Sequence, residues 1–291
     1  MTLVRFKVGL LSGKLELSPL NGHIIFCLKE QQDDAKLQTS LPGSISPTGV
    51  GGEASRGASL SRLGHSMKYV HAIDLGNPHP CWNLRVSGGR LQTPNFIARI
   101  DSGIAETHRH IGNISLEELR TVGPQGNVVT PRTGHVLMKA AMLRNHVSHL
   151  DGYGQEVLVS PETRNELLRL ADQELEFERV RRVAGGNLVS RISCLWLAER
   201  NEQGISHVRS MLGDHVYFLD VAITCNLALT RTDTSWFDAY WNEPREEFAQ
   251  GYWSQSPFGN TPNWEYLLDG EIVVENPEQL AHVINNGNIQ W

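Results

Sequence analysis

Asn263-Trp264-Glu265-Tyr266-Leu267-Leu268-Asp269-Gly270-Glu271-Ile272-Val273-Val274 reads as a strand that starts at Glu265, turns at Asp269-Gly270 and resumes at Ile272. Such a strand holds one carboxylate, Glu265, rigidly at its mouth. Just upstream, Gly251-Tyr252-Trp253-Ser254-Gln255-Ser256-Pro257-Phe258-Gly259 reads as an aromatic loop, with Tyr252, Trp253 and Phe258 offering faces to a flat ring. A polar loop feeding a single Glu suits a nucleotide-like substrate. The plain alternative is a solvated strand residue beside a Trp-rich turn.

Working back toward the N-terminus, strands dominate the second half. His215 to Ile223 and Leu188 to Leu197 have strand composition, with a short helix expected around Ser206 to Leu212 between them. Ahead of these, Ser160 as N-cap and Pro161 at the first helical position open a helix running to Arg182, striped by Leu167, Leu168, Ala171, Leu175 and Val180. Residues 134 to 150 approximate helical spacing. Ser115-Leu116-Glu117-Glu118 is a capping-box pattern in which Ser115 and Glu118 satisfy backbone donors reciprocally. Lys68 to Ile73 reads as a central strand, apolar on both faces. Helices first and strands later, with few alternating β-α-β units, favour an α+β fold. No Gly-x-Gly-x-x-Gly or Gly-x-x-x-x-Gly-Lys-Ser loop occurs, which disfavours the common dinucleotide and triphosphate folds.

Residues 38 to 66 contain seven Ser, six Gly and two Pro and read as a disordered linker. Before it, residues 1 to 37 form an N-terminal extension in which Val4 to Val8 and His23 to Cys27 are expected to pair as a hairpin. The first 66 residues carry seven Lys/Arg against five Asp/Glu and the rest 19 against 27, so a boundary is expected near Met67. A bland tail, an upstream extension and an export leader are the three readings of that segment. The whole chain has 291 residues, a net charge of −6 and a pI near 6.1, which gives nucleic acid no broad basic surface. Cys27, Cys81, Cys194 and Cys225 form no Cys-x-x-Cys pair, which fits a reduced, cytosolic setting. No stretch near Met1 suits a signal core or membrane span, so a cytoplasmic protein, or one exported into a target cell as an effector, is expected.

His108-Arg109-His110 puts two imidazoles on one side of an extended segment without an evident third ligand, so no metal is expected. Glu174 to Arg182 has acids before bases, which stabilises a helix end; Arg179, Arg181 and Arg182 facing a phosphate is the alternative. No Gly-x-Ser-x-Gly elbow supports a hydrolase triad.

Taken in order, the charged helix, Ser190-Arg191-Ile192-Ser193-Cys194-Leu195-Trp196-Leu197-Ala198, Val216 to Val221, Asp233-Thr234-Ser235-Trp236, Tyr252-Trp253 and Glu265 to Ile272 resemble an uncharacterised bacterial family associated with the ADP-ribosyltransferase superfamily. The resemblance spans roughly residues 67 to 275. It implies a split β-sandwich of two small sheets with flanking helices, a catalytic domain over 67 to 291, and NAD+ bound as substrate with no metal. It further implies Glu265 as the catalytic carboxylate and His71 on the adenosine side of NAD+. Ser190, Arg191, Ser193 and Trp196 would face the nicotinamide ribose and ring, beside Tyr252 and Trp253. Asn263 stands where arginine-modifying members carry Glu, which points away from arginine as acceptor, and a protein acceptor is favoured over nucleic acid. The Ser-Thr-Ser triplet of one large branch is not found.

The expectation is therefore a toxin- or effector-type mono-ADP-ribosyltransferase with His71 and Glu265 lining one cleft. The alternatives are an interaction module using Trp236, Tyr240, Trp241, Tyr252 and Trp253 as an exposed patch, and an NAD+ glycohydrolase.

Overall fold

The computed structural model describes residues 67–124, 131–146 and 159–288. The expected hairpin and the Ser/Gly-rich linker lie outside them. Ten helices, five strands and one 3-10 turn are described. The strands are β1 (Tyr69–Asp74), β2 (Arg90–Gln92), β3 (Leu195–Glu199), β4 (Val216–Asp233) and β5 (Trp264–Val274). Before β3 come the helices α1 (Pro78–Val86), α2 (Pro94–Ile100), α3 (Ser102–Thr107), α4 (Leu116–Thr121), α5 (Pro131–Arg144) and α6 (Pro161–Ala184). After β3 come α7 (Glu202–Leu212), α8 (Ser235–Asn242), α9 (Glu246–Trp253) and α10 (Pro277–Asn286). This mixture of helices and an antiparallel sheet is α+β.

The five strands join into one sheet in place of the two expected, because the 18-residue β4 is long enough to serve two partners. Its first part pairs with β1, from Asp74 opposite Val216 to Tyr69 opposite Val221, and the remainder pairs with β5, from Val221 opposite Val274 to Asp233 opposite Trp264. β3 bridges the other edges of β1 and β5. The pairings β4–β5–β3–β1–β4 thus close into a ring, with β2 beside the far end of β5. β1 is central, as its two apolar faces require.

Strand alternation gives this curled sheet two packed faces. Tyr69, Ile73, Leu197, Leu219, Tyr266 and Leu268 point to the inner one and pack with Cys81 and Leu84 of α1 and Val283 of α10. Leu267 and Trp196 point outward onto Phe177 and Val180 of α6 and Ala249, Tyr252 and Trp253 of α9.

Helix starts follow the local chemistry. Ser160 Oγ accepts from the Thr163 amide at 3.2 Å and Ser115 Oγ from the Glu118 amide at 3.0 Å. The reciprocal half of the capping box is absent, because the Glu118 carboxylate takes a bidentate Arg109 at 2.6 and 3.0 Å instead. Two expectations are corrected. Asp269-Gly270 is not a turn, since β5 runs through it while β4 absorbs the irregularity with register shifts at Ile223/Cys225 and Asn226/Ala228. Leu188 to Cys194 is not strand: Ser190 Oγ accepts the Ile192 amide and Ser190 O the Ser193 amide, so the segment turns on its own polar groups.

Gly270 is needed where the irregular β4 backbone comes close. A Cβ there would lie 2.1 Å from the Cys225 carbonyl oxygen. Gly270→Ala is expected to cost about 1–3 kcal/mol, read as a lowered thermal midpoint, because a backbone atom rather than a flexible side chain must yield.

Candidate functional site

Glu265 leaves the outer face of β5 and is 4% exposed, so it is not a solvated strand residue. Its Oε1 accepts from Arg191 Nη1 at 2.8 Å, from the Tyr252 hydroxyl, and from Thr232 Oγ1 at 3.3 Å. Arg191 also gives Glu174 a two-point contact, Nε to Oε2 at 2.9 Å and Nη2 to Oε1 at 3.1 Å. Its guanidinium lies 4.3 Å from the Trp196 ring centroid and 4.1 Å from that of Phe237, so it is stacked as well as paired. Burial alone would lower the Arg191 pKa, but Glu174, Tyr252 and Glu265 hold it well above the ordinary value. The Tyr252 hydroxyl is pushed well up, first by burial, with Glu265 adding to the shift against the lowering effect of Arg191. The cluster is a charged Arg between two carboxylates, closed by a neutral phenol.

Four of the residues singled out from sequence, Arg191, Trp196, Tyr252 and Glu265, are in direct contact here. Ser190 points into the adjoining cluster, where its hydroxyl donates to Glu178 Oε2 at 2.8 Å. Ser193 is buried in the same turn. Trp253 is buried, its indole donating to the Phe177 carbonyl at 2.7 Å. Tyr252 and Trp253 close the helix α9 rather than belonging to a loop, and both are buried, so neither offers a free stacking face or joins an exposed aromatic patch. The sequence misleads there because aromatics beside Gly251 suit a loop, whereas that glycine makes room for the Trp236 ring, 2.7 Å from where a Cβ would stand.

His71 is not brought to Glu265. It sits on β1 opposite Leu219, on the inner face with Tyr69 and Ile73, while Glu265 points out. Its Nδ1–H donates to the Trp196 carbonyl at 2.8 Å. Burial lowers its pKa, against the raising effect of that bond, which favours the neutral ring. Glu199, which pairs with Tyr69 on the neighbouring strand, is bonded by the Tyr266 hydroxyl at 2.6 Å and by Asn201 at 2.8 Å.

Other polar groups were not legible in the sequence. Two residues at a time along the outer face of β5, Asp269 takes Thr93 and Asn95, and Glu271 takes Arg90, Gln92 and Thr224. His108 bonds Asn95 at 2.8 Å and His110 accepts from the Gly112 amide, so the two imidazoles serve separate partners. Among the described residues, no group of three or more His, Cys, Asp or Glu is placed to hold a metal ion. Arg179, Arg181 and Arg182 are all taken up by carboxylates, Arg179 at the surface by Glu176 and Glu246, and Arg181 and Arg182 by the buried Glu178. A recess of about 20 Å³ at the start of β5 is lined by Glu199, Asn201, Gln203, His207 and Trp264 among others, room for about one water. An open groove of about 460 Å³ runs past Glu162, Glu166, Arg169 and Trp241 on α6 and α8. No described helix is long and apolar enough to cross a membrane.

Residues 132–282, just over half of the chain and including the Arg191–Glu265 cluster, match a family described as protein of unknown function, DUF2441. The chain belongs to that family. It matches no curated protein.

Proposed function

We propose that this chain is an ADP-ribosyltransferase-like enzyme that cleaves the nicotinamide–ribose bond of NAD+ and transfers ADP-ribose to an acceptor, with Glu265 as the catalytic carboxylate. The observation that carries the reading is the Glu265–Arg191–Tyr252 cluster. A carboxylate at the head of the last strand is oriented by a charge-assisted hydrogen bond and a phenol, with an indole alongside. Breaking the C1′–N bond sends its electron pair to the departing nicotinamide, which leaves neutral. Positive charge develops on the ribose, where a fixed carboxylate bonded to a ribose hydroxyl lowers its energy. The acceptor's lone pair then forms the new bond at C1′ and its proton is released. Arg191 and Tyr252 hold the carboxylate in store, and NAD+ engages it by displacing one of those bonds. An effector- or toxin-type role, with a protein acceptor, belongs to the same proposal.

Purified protein incubated with NAD+, with and without cell lysate, tests the reading by chromatography of released nicotinamide. Glu265→Gln is expected to slow release at least roughly tenfold while NAD+ binding persists. Equal release by the variant would remove Glu265 from the chemistry.

A second reading has its own observation. His71 and Glu265 leave opposite faces of the sheet, and the carboxylate is closed off by its partners, which suits an interaction module on the same scaffold. Absence of nicotinamide release by the wild type, with and without lysate, would favour it.

A further inference from the structure

Where the chain leaves β3 for α7, close to the head of β5, a carboxylate stands without a cation. Glu199, the last residue of β3, pairs with Tyr69 and so shares the inner face of the sheet, whereas Glu265 leaves the outer one. The Tyr266 hydroxyl donates to Glu199 Oε1 at 2.6 Å and the Asn201 side-chain amide to Oε2 at 2.8 Å. Burial first, with Glu199 adding to it against the lowering effect of Arg231, pushes the Tyr266 pKa up, so the phenol stays protonated. Both partners are therefore neutral. Arg200, the next residue, is taken by Asp220, and the Arg231 guanidinium lies over the Trp264 ring, 4.1 Å from its centroid. Among the described residues Glu199 makes no ion pair. Its two bonds use about half of the roughly four acceptor sites of a carboxylate.

The recess of about 20 Å³ at the start of β5 opens beside this group. Among the described residues that line it, Glu199 carries the one formal charge. The His207 ring forms another wall and is 9% exposed. Its Nε2 lies 2.6 Å from the Thr234 hydroxyl, whose proton goes to the Asn263 carbonyl at 3.2 Å. Nε2–H is then the donor to Thr234, and Nδ1 is left as an acceptor. Burial lowers the His207 pKa, against the raising effect of Asp238 and Asp233, which favours the neutral ring. The recess thus offers one negative charge, unused acceptor capacity and space for a group the size of one water. A guanidinium is too large, and a quaternary ammonium is both too large and without an N–H. A primary ammonium is compact, cationic and a donor three times over. We propose that this recess binds a primary ammonium group, the head of a small alkylamine or of a lysine side chain, with Glu199 as its counter-charge. The site is separate from the Glu265 cluster and does not depend on the transferase reading.

Titration of the isotope-labelled full chain with methylammonium chloride, at constant ionic strength, tests the proposal by nuclear magnetic resonance. The backbone amides of Asn201, Gln203 and Asn263 and the Trp264 indole are expected to shift and to saturate. Tetramethylammonium chloride and potassium chloride are expected to leave them in place. Glu199→Gln, which keeps the shape and removes the charge, is expected to weaken methylammonium at least about tenfold, the loss of one charge-assisted bond. A second probe, the N-methylamide of Nα-acetyl-lysine, separates the sources. Binding at least about threefold tighter than methylammonium assigns the recess to a lysine side chain, whose stem covers apolar surface at the rim, and equal binding assigns it to a small amine. Shifts that never saturate, that tetramethylammonium or potassium reproduces, or that Glu199→Gln leaves unchanged would each overturn the proposal. The comparison of methylammonium with tetramethylammonium uses the wild type alone, so it decides the matter even if Glu199→Gln does not fold.

Discussion

Arg191→Ala is expected to lower the unfolding free energy by about 3–5 kcal/mol, the range for removing one partner of a buried ion pair. Both carboxylates that Arg191 serves are nearly inaccessible, with side-chain exposures of 8% for Glu174 and 5% for Glu265, so water cannot replace the lost guanidinium. The stacking on Trp196 and Phe237 disappears with it, leaving a void between two rings. For a domain of this size each kcal/mol moves the thermal midpoint by about 2–4 °C, so a fall of roughly 10 °C should be seen in a melting curve. Urea midpoints of Arg191→Ala, Glu265→Gln and the double variant make the check specific. A double variant less destabilised than the sum would show that much of the cost is an unpaired Glu265. A fall under 1 kcal/mol in the single variant would mean that the cluster is not the closed, dry pair described above.

Glu178→Gln has the second largest expected effect, about 3 kcal/mol. The Glu178 side chain is 1% exposed and receives Arg181 at 2.7 and 2.8 Å, Arg182 at 2.9 Å and Ser190 at 2.8 Å. Those arginines reach onward, Arg181 to the Leu188 carbonyl and Arg182 to the carbonyls of Ile111 and Ile114. One carboxylate therefore ties α6 to the segments on either side of it. Burial pushes the Glu178 pKa up, but Arg181 and Arg182 outweigh that and the net shift is downward from 4.5. A lowered folded-state pKa contributes stability above the unfolded value and loses it as pH falls through the folded one. The gap between wild type and Glu178→Gln in urea midpoint should be full near pH 7 and shrink below about pH 4.5. A gap that stays constant into acid would contradict the assignment.

Much of the scaffold was legible in the sequence because its signals are local. Ser160-Pro161 starts α6 where a capping hydroxyl and a prolyl ring predict it. β1 shows its central place through apolar residues on both faces. The helix expected over 134–150 ends earlier, at Arg144, with Asn145 and His146 in a turn; residues 147–150 lie outside the described residues. What failed was non-local. The extent of β4 depends on β5 lying beside Asn226 to Asp233, and nothing in those residues alone tells a paired strand from a connection. The same holds for the site. Glu265 and Arg191 stood out by residue type, yet their pairing joins positions 74 apart in sequence. The order of acids before bases in Glu174 to Arg182 shows a stabilised helix end but not that Glu174 and Glu178 are buried, because helical spacing does not report what covers a face. His71 was assigned beside Glu265 by resemblance, whereas the parity of each strand sets which way a side chain points, and a sheet with two buried faces hides that parity.

The closed ring of pairings also dictates when the protein can exist during its own synthesis. Of the five described strands β5 is the last to leave the ribosome, yet it is hydrogen-bonded to β2, β3 and β4, with Leu91 waiting for Ile272. Until it arrives, those strands carry unsatisfied edges, and the Arg191 guanidinium has no Glu265 to meet. Contacts spanning so much of the chain make slow, late assembly the rule. A nascent chain stalled before Trp264 would expose sticky β edges, the kind that chaperones shield.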